Sequence, residues 1–561
     1  MGGPGYPGAP GGSQEELFEL YEVTHKWGKC ILPGEIPDRV KITIIDAKRF
    51  PPLKDRLAAQ EKRLKEETRN QPNLDIEGLL KLADWILQHW NYPTDQGAAG
   101  SIVMRQVLEE RIAEMERQAP NDPRVKALIE TREHVGTRLP ENSDEIQKLA
   151  TLLGGRNQEY RPTASDHYVL LHPGGLEGEA EKRLRRLEHL YAGFHYWFAS
   201  RGHSLSKPVY KLIGVLTKDL EDFERVHKLL DELPLTADGF YSNFDNVAVY
   251  SLKRTDTAFK QLDRIARDLD AQGLHLQQLL KSGDKFISRP SSRSKKQQEP
   301  EHDVGEVLYA QAVALAQKAA EEEAEIATLT HVGVQQLVTA CGLLPSRLRA
   351  PEWLRLGLAS FFETPRSEGE LNLATMSSGI GAPSWVYMGS GSLPPNGVYG
   401  IRTFFEQAGK EVGVPPYETH KIKLQPPSLR KVITDQVFVA AARAPRDDRY
   451  FLNFKARAEA WGLFYFLARK KLPQLMAYFD QLSQMPRDLP LSEEALLVAF
   501  GRAFGLTKSD QSHELDDNKV EQLEKEWKEF ISFQHLEILP FQEEKSQETP
   551  AKEKQRGRPR R

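Results

Sequence analysis

The hydrophobic period of this chain changes partway along, and that change limits the folds open to it. Between residues 165 and 285, strand and helix signals alternate. Residues 167–171 (HYVLL) read as a short strand. Residues 179–200 read as a helix with Leu184, Leu187, Leu190, Tyr191, Phe194 and Phe198 on one side. Residues 210–216 (YKLIGVL) form an apolar run of strand length, Leu220–Leu230 is helical, and residues 246–252 (NVAVYSL) are a further strand. From residue 304 to residue 541 nearly every signal is helical. The segments are Val304–Ala340, 351–363 with proline in a first-turn position, 450–467, 492–504 and 519–533. Such a pattern predicts an α+β, predominantly helical protein, with a small mixed-sheet lobe packed on a larger helical lobe.

The flanks divide the chain further. A Gly/Pro-rich leader covers residues 1–15, and a largely helical N-terminal extension, short strands then helices, covers 16–150. Within the extension, residues 38–46 (DRVKITIID) alternate Val40, Ile42 and Ile44 with polar positions, a half-buried strand pattern. From Asp75 the period becomes helical through Leu79, Leu80, Leu82, Ile86 and Leu87, and a second helix is predicted over 101–118. No period of about 34 residues recurs, so a helical repeat is not indicated. The α/β lobe covers 165–285. Residues 286–302, rich in Ser, Lys, Gln, Arg and Pro, read as a linker into the helical lobe at 303–541. A Gly/Ser/Pro-rich loop at 377–395 interrupts that lobe, and a charged, disordered tail is predicted at 542–561.

Composition removes several function classes. The 76 Lys+Arg against 80 Asp+Glu leave a net charge of −4, so no global basic field points to nucleic acid. No run approaches the ~20 apolar residues of a bilayer span, so no membrane partner is expected. Two cysteines, Cys30 and Cys341, make neither a disulfide scaffold nor a Cys-rich zinc site. What remains for metal chemistry is the 15 histidines and the carboxylates. The first residues carry neither a charged n-region nor an apolar h-region. The chain as written therefore reads as cytoplasmic, and as exported if the true start lies upstream.

One segment carries a chemical argument: TLTHVGVQQLVTACGLLPSRLRAPEWLRLGLASFFETP, residues 328–365. His331 and Gln335 are four apart and share a helix face, with Ile326, Leu329, Gly333 and Leu337 as an apolar stripe roughly opposite. A second helix carries Leu356. This is the layout of an H-E-x-x-H zinc peptidase, in which two histidines hold the metal and the helix Glu deprotonates its water.

This segment and its flanks resemble a planctomycete-type family of unknown function related to gluzincin metallopeptidases. The supporting residues are Ala237-Asp238-Gly239-Phe240-Tyr241, Trp353, Gly357-Leu358-Ala359, Phe362-Glu363, Ala460-Trp461, Phe466-Leu467 and Ala499-Phe500-Gly501. The resemblance spans roughly residues 165–535 and implies a gluzincin-like fold with a cleft between its lobes. It places His331 at the first ligand position, but Val332 at the general base, Gln335 at the second histidine and Leu356 at the acidic ligand. Valine accepts no proton, an amide is a poor zinc ligand, and leucine offers no donor. The expectation is a pseudopeptidase with no catalytic residue, no metal and no cofactor, whose vestigial groove binds a peptide or protein segment. The runner-up is a metal-dependent hydrolase with substituted ligands, for which Glu352 and Glu363 would join His331. The simpler reading makes Glu352 a first-turn acid favoured by the helix dipole.

The other candidates read as structure. Glu188-His189 and residues 194–198 form an aromatic helix face, expected to pack on the sheet. His167 and His172 bracket a strand on opposite faces, and Cys341 reads as a buried small hydrophobe. Residues 389–400 are Gly-rich without the strand and Lys-Ser/Thr of a phosphate cradle, and are read as a loop on the groove rim. In the tail, Arg556-Gly557-Arg558-Pro559 resembles an AT-hook core. That makes a scaffold protein with a DNA-contacting tail the third reading, with DNA an unlikely partner.

Overall fold

The computed structural model describes residues 20–25, 28–33, 53–67, 74–88, 90, 99–154, 159–230, 238–253, 257–281, 304–362, 401–413, 420–509 and 512–533. The leader, the strand predicted at 38–46, the linker at 286–302, the loops at 377–395 and 389–400, and the tail with Arg556 and Arg558 lie outside the described residues. The chain forms two compact units. One comprises Met1–Ile44 and Gln261–Ala319, the other Ile45–Lys260 and Ala320–Arg561.

In the first unit, β1 (Leu20–His25) and β2 (Gly28–Pro33) pair antiparallel from Leu20↔Pro33 to His25↔Gly28. The sequence reading assigns no strand to these particular residues, placing its one located strand of this region at 38–46.

The second unit opens with five helices: α1 (Leu53–Glu67), α2 (Ile76–Gln88), α3 (Ala99–Gln118), α4 (Pro123–Gly136) and α5 (Ser143–Leu153). Local chemistry sets the boundaries of the last two. Asp122 caps α4 by accepting from Arg124 N, with Pro123 in the first turn, where its missing N–H costs nothing. Asn142 caps α5 by accepting from Glu145 N.

A five-stranded sheet follows, in the order β3-β4-β5-β7-β6. Its strands are β3 (Tyr160–Ala164), β4 (Tyr168–Pro173), β5 (Leu212–Thr217), β6 (Gly239–Ser242) and β7 (Val247–Ser251). The central pairs β4–β5 and β5–β7 are parallel, and both edges are antiparallel. The sheet begins before residue 165. Strand β3 escaped the sequence reading because it is an edge strand containing Pro162, with one buried residue and no alternation to detect. Gly239, Phe240 and Tyr241, named above among the residues of the resemblance, lie in strand β6.

Helix α6 (Glu177–Ala199) connects β4 to β5, and α7 (Leu220–Leu230) follows β5. The period-2 alternation then sorts the sheet between two cores. Val169, Leu171, Ile213, Val215, Val247 and Val249 join α5 and α7 on one face. Tyr168, Leu170, Leu212, Leu216, Ala248 and Tyr250 join the large helical core on the other.

Helices α8 (Thr257–Ala271) and α9 (Leu276–Lys281) precede α10 (Val304–Ala340) and α11 (Glu352–Phe362). The remaining elements are α12 (Ile401–Glu406), a hairpin of β8 (Glu411–Gly413) and β9 (Lys421–Lys423), then α13 (Leu429–Ile433), α14 (Gln436–Arg443), α15 (Arg446–Lys470), α16 (Leu472–Ser483), α17 (Glu493–Ala503) and α18 (Asp517–Phe533). The fold is α+β and predominantly helical.

Ties of long sequence separation hold the second unit together. Trp90 stacks on His189 at 4.8 Å, and a Cβ on Gly193 would meet its indole at 2.6 Å, so α6 must be bare there. Asp84 of α2 pairs with Arg201 and also accepts from Arg469 of α15 at 3.1 Å. Phe194, Trp197 and Phe198 of α6 pack on Phe361 and Phe362 of α11.

Candidate functional site

The motif occupies the C-terminal half of α10, and its packing differs from that of an amphipathic helix. The sequence places His331 and Gln335 on a polar face opposite an apolar stripe. No such face exists here: Thr328, Thr330, His331, Val332, Val334, Gln336 and Leu337 are all buried, and Gln335 is half-buried. A helix enclosed on every side belongs to the core.

Each side has a named cover. Towards the sheet, Thr328 and Val332 lie on Gly239 of β6, whose Cβ would meet Thr328 Cγ2 at 2.7 Å, Val249 O at 2.9 Å and Val332 Cγ2 at 3.1 Å. Val332, the general-base position, thus packs against the edge strand. Gln336 donates to Ile213 O at 2.9 Å and to Asn246 O at 2.8 Å, joining the helix to β5 and to the β6–β7 turn. Towards α6, Gly333 touches Leu190 and Leu187, and Glu325 meets Lys182 at 3.0 Å, Arg186 at 2.6 Å and Arg183 at 3.6 Å.

His331 is buried as well, and the charges of Arg457 on α15 and Arg355 on α11 act on it. Burial holds its imidazole well below the usual histidine range, and the Arg457 and Arg355 guanidiniums add to that. It is therefore neutral at physiological pH.

Helix α11 is placed from a distance. Asp435, between α13 and α14 with φ of 59°, accepts from Glu352 N at 2.7 Å and Trp353 N at 2.9 Å. A side chain more than eighty positions away thus satisfies two of the helix's free N–H groups. Burial pushes the Asp435 carboxyl up to about 6, against the pull of those amides. Glu352 occupies the first turn of α11 beside Asp435, Leu356 is half-buried, and Glu363 lies outside the described residues. Gly357 sets the approach of α11 to α15. A Cβ there would stand 2.7 Å from Ala460 O and 2.8 Å from Phe464 Cβ.

The residue set does not suit zinc. The four expected positions provide one neutral imidazole, and the charges acting on it are cationic. Among the described residues, no group of three or more His, Cys, Asp or Glu side chains is placed to hold a metal ion. Four other histidines are engaged within the fold. His167 Nδ1 meets Glu188 Oε2 at 2.5 Å, while His172 bonds Thr163 Oγ1 at 2.7 Å and Pro173 O at 2.8 Å. Burial pushes His189 and His195 down to about 4 and about 3, so both are neutral.

Sequence reasoning missed Gln336, Arg355 and Asp435. Gln336 was one residue from the position singled out, and a second amide in an apolar run was the available signal. Asp435 left none, because its partner helix is remote in sequence.

By its fold, then, this is an α+β, predominantly helical protein in which the helices that carry His331 and Leu356 pack into the core. A family model described as a protein of unknown function (DUF1570) matches residues 325–381, a stretch that starts at the α6-binding Glu325 and includes α11. No curated protein and no solved structure matches the chain. Among the described residues, no helix is long and apolar enough to cross a membrane.

Proposed function

We propose that this chain is a non-catalytic, degenerate gluzincin-like protein whose surface beside the buried motif helix receives a peptide or protein segment. The observation that carries this reading is the setting of His331, a buried neutral imidazole beside two guanidiniums. A site for Zn²⁺ needs anionic or neutral donors converging on one point; this one offers a single donor in a cationic field. Val332 on Gly239 gives the same direction, since the base position is filled by packing. The binding part of the reading draws on β6. It is the terminal strand of the sheet, paired on one side with β7, and it runs beside the motif helix. A terminal strand is where an extended segment adds by main-chain hydrogen bonding.

Two measurements test this. Metal analysis of the purified chain and of His331→Ala is expected to find no stoichiometric zinc in either. Incubation with a generic peptide library is expected to give no cleavage, with or without 1,10-phenanthroline. Cleavage abolished by the chelator would overturn the non-catalytic reading. For binding, selection from a displayed peptide library should enrich sequences whose retention falls with Arg355→Glu. No enrichment over an unrelated protein would overturn that part.

A further inference from the structure

Three loops that are far apart in sequence meet just past the C-terminal end of the motif helix, outside the candidate site. They are the β6–β7 turn at 243–246, the α10–α11 connection at 345–350 and the α16–α17 connection at 486–490. Hydrogen bonds to main-chain groups tie them together. Asn243 Nδ2 donates to Leu348 O at 2.8 Å, Arg347 N donates to Asn243 Oδ1 at 3.3 Å, and Asp488 N donates to Arg347 O at 2.9 Å. Gln336 anchors the turn to the motif helix itself through Asn246 O. Two residues of the junction, Arg347 and Asp488, hold left-handed backbone at φ of 67° and 65°. That conformation is uncommon away from glycine, persists only where the surroundings impose it, and clusters where proteins hold ligands.

What the junction presents outward is an arginine on an aromatic ring. Phe244 is 67% exposed, and the Arg347 guanidinium lies 4.5 Å from its ring centroid. Leu489, next to Asp488 in sequence, is 57% exposed. Arg347 meets Asp488 Oδ1 through Nε, at 2.9 Å. Its two terminal nitrogens make no hydrogen bond to the described residues. Joining the loops does not require them, because the three bonds to main-chain groups already do so. A planar fork with both terminal nitrogens open matches a carboxylate, which accepts two parallel hydrogen bonds from it. Local charge favours the same ligand. Across the three segments, Arg347, Arg349 and Arg487 stand against Asp245 and Asp488, all of them exposed. Both aspartates are engaged, Asp245 by Ser242 Oγ at 3.1 Å and Asp488 by Arg347.

We propose that this junction docks an acidic segment of a partner protein, with an Asp or Glu carboxylate on the Arg347 fork and an adjacent apolar side chain beside Phe244 and Leu489. The inference rests on the peptide-binding reading above and names the place and chemistry of that contact. The loops are already fixed to one another in the free chain, so binding has little ordering left to do.

The test uses the full chain and a displayed library of random peptides. Enriched peptides should carry an acid next to a large apolar residue. As synthetic peptides they should bind about tenfold more weakly when that acid is replaced by its amide. Arg347→Gln should weaken the parent peptide by the same factor and remove the difference between acid and amide, which marks a direct contact. Phe244→Ala, at an exposed position, should also weaken binding while the thermal midpoint stays at the wild-type value, separating a lost contact from a lost fold. Amidating the peptide's C-terminus should change nothing. A loss there, in place of a loss at the acid, would put a chain end in the fork and overturn the assignment. Enriched peptides without acids, or acidic peptides that bind Arg347→Gln and Phe244→Ala as tightly as wild type, would also overturn it. If such peptides are still lost with Arg355→Glu, the peptide-binding reading stands and this placement alone fails. No enrichment at all ends both.

Discussion

Gly357→Ala tests the packing that fixes the second motif helix. An alanine Cβ would stand 2.7 Å from Ala460 O, roughly 0.7 Å inside ordinary contact, which begins near 3.4 Å. The atom it meets is a main-chain carbonyl in α15, so no side-chain rotation relieves the clash. Helices α11 and α15 must part. Phe464 Cβ at 2.8 Å and Ala460 C at 3.2 Å resist from the same side. Overpacking of this kind costs about 1–3 kcal/mol, and a backbone clash belongs in the upper half of that range. Alanine recovers about 1 kcal/mol of helix propensity over glycine, which leaves a net loss of about 1–2 kcal/mol. Gly178→Ala is the control. It lies in the first turn of α6 with nothing within 4 Å of its Cβ, and should be neutral or stabilising by about 0.5 kcal/mol. Urea unfolding followed by near-ultraviolet circular dichroism gives both midpoints. If Gly357→Ala unfolds at the wild-type midpoint or above it, the two helices are not in the close contact described.

Three further perturbations probe the site's supports. Gln336→Leu leaves Ile213 O and Asn246 O without their side-chain donor. At about 1–3 kcal/mol for each buried acceptor, it should destabilise far more than Gln335→Leu, and equal effects in thermal unfolding would refute the assigned register. Asp435 has a native carboxyl near 6, above its ordinary 3.8, so the folded state holds that proton more tightly than the unfolded state. Its contribution is fully present below pH 3.8 and is lost as pH rises through 6, with a ceiling of about 3 kcal/mol. Wild type should therefore gain stability relative to Asp435→Asn between pH 7 and pH 5, and a flat difference would contradict this. In α15, Lys455 pairs with the buried Glu459, whose carboxyl is raised by burial. Lys455→Met should cost roughly 3 kcal/mol, and adding Glu459→Met should restore most of it in the same unfolding assay.

Much of the fold was legible because most elements carry a strong period. Val304–Ala340 forms the helix its pattern predicts, and β4, β5 and β7 are the apolar runs that parallel, doubly covered strands require. The elements that escaped are those with little burial to pattern them. Strand β3 shows one buried residue around Pro162, and β8 and β9 are three residues each with none buried. An edge strand is specified by its neighbour's backbone, which leaves no trace in its own side chains.

The helix positions of the candidate residues were legible but their surroundings were not, for a related reason. Spacing correctly puts His331 and Gln335 one turn apart, and a polar residue on a helix ordinarily implies solvent or a cleft. That inference fails on α10 because burial is decided by what arrives from elsewhere. The sheet brings Gly239, α6 brings Leu187 and Leu190, and α11 and α15 bring the two arginines that act on His331. Apart from Arg355, which directly precedes Leu356 but holds no motif position, none of these is near the motif in sequence. Here the base position packs on a glycine strand, the neighbouring amide bonds two carbonyls, and the remaining histidine is neutral. Restoring Glu at Val332 would accordingly bury an uncompensated carboxylate against Gly239 and lower stability before it could serve any chemistry.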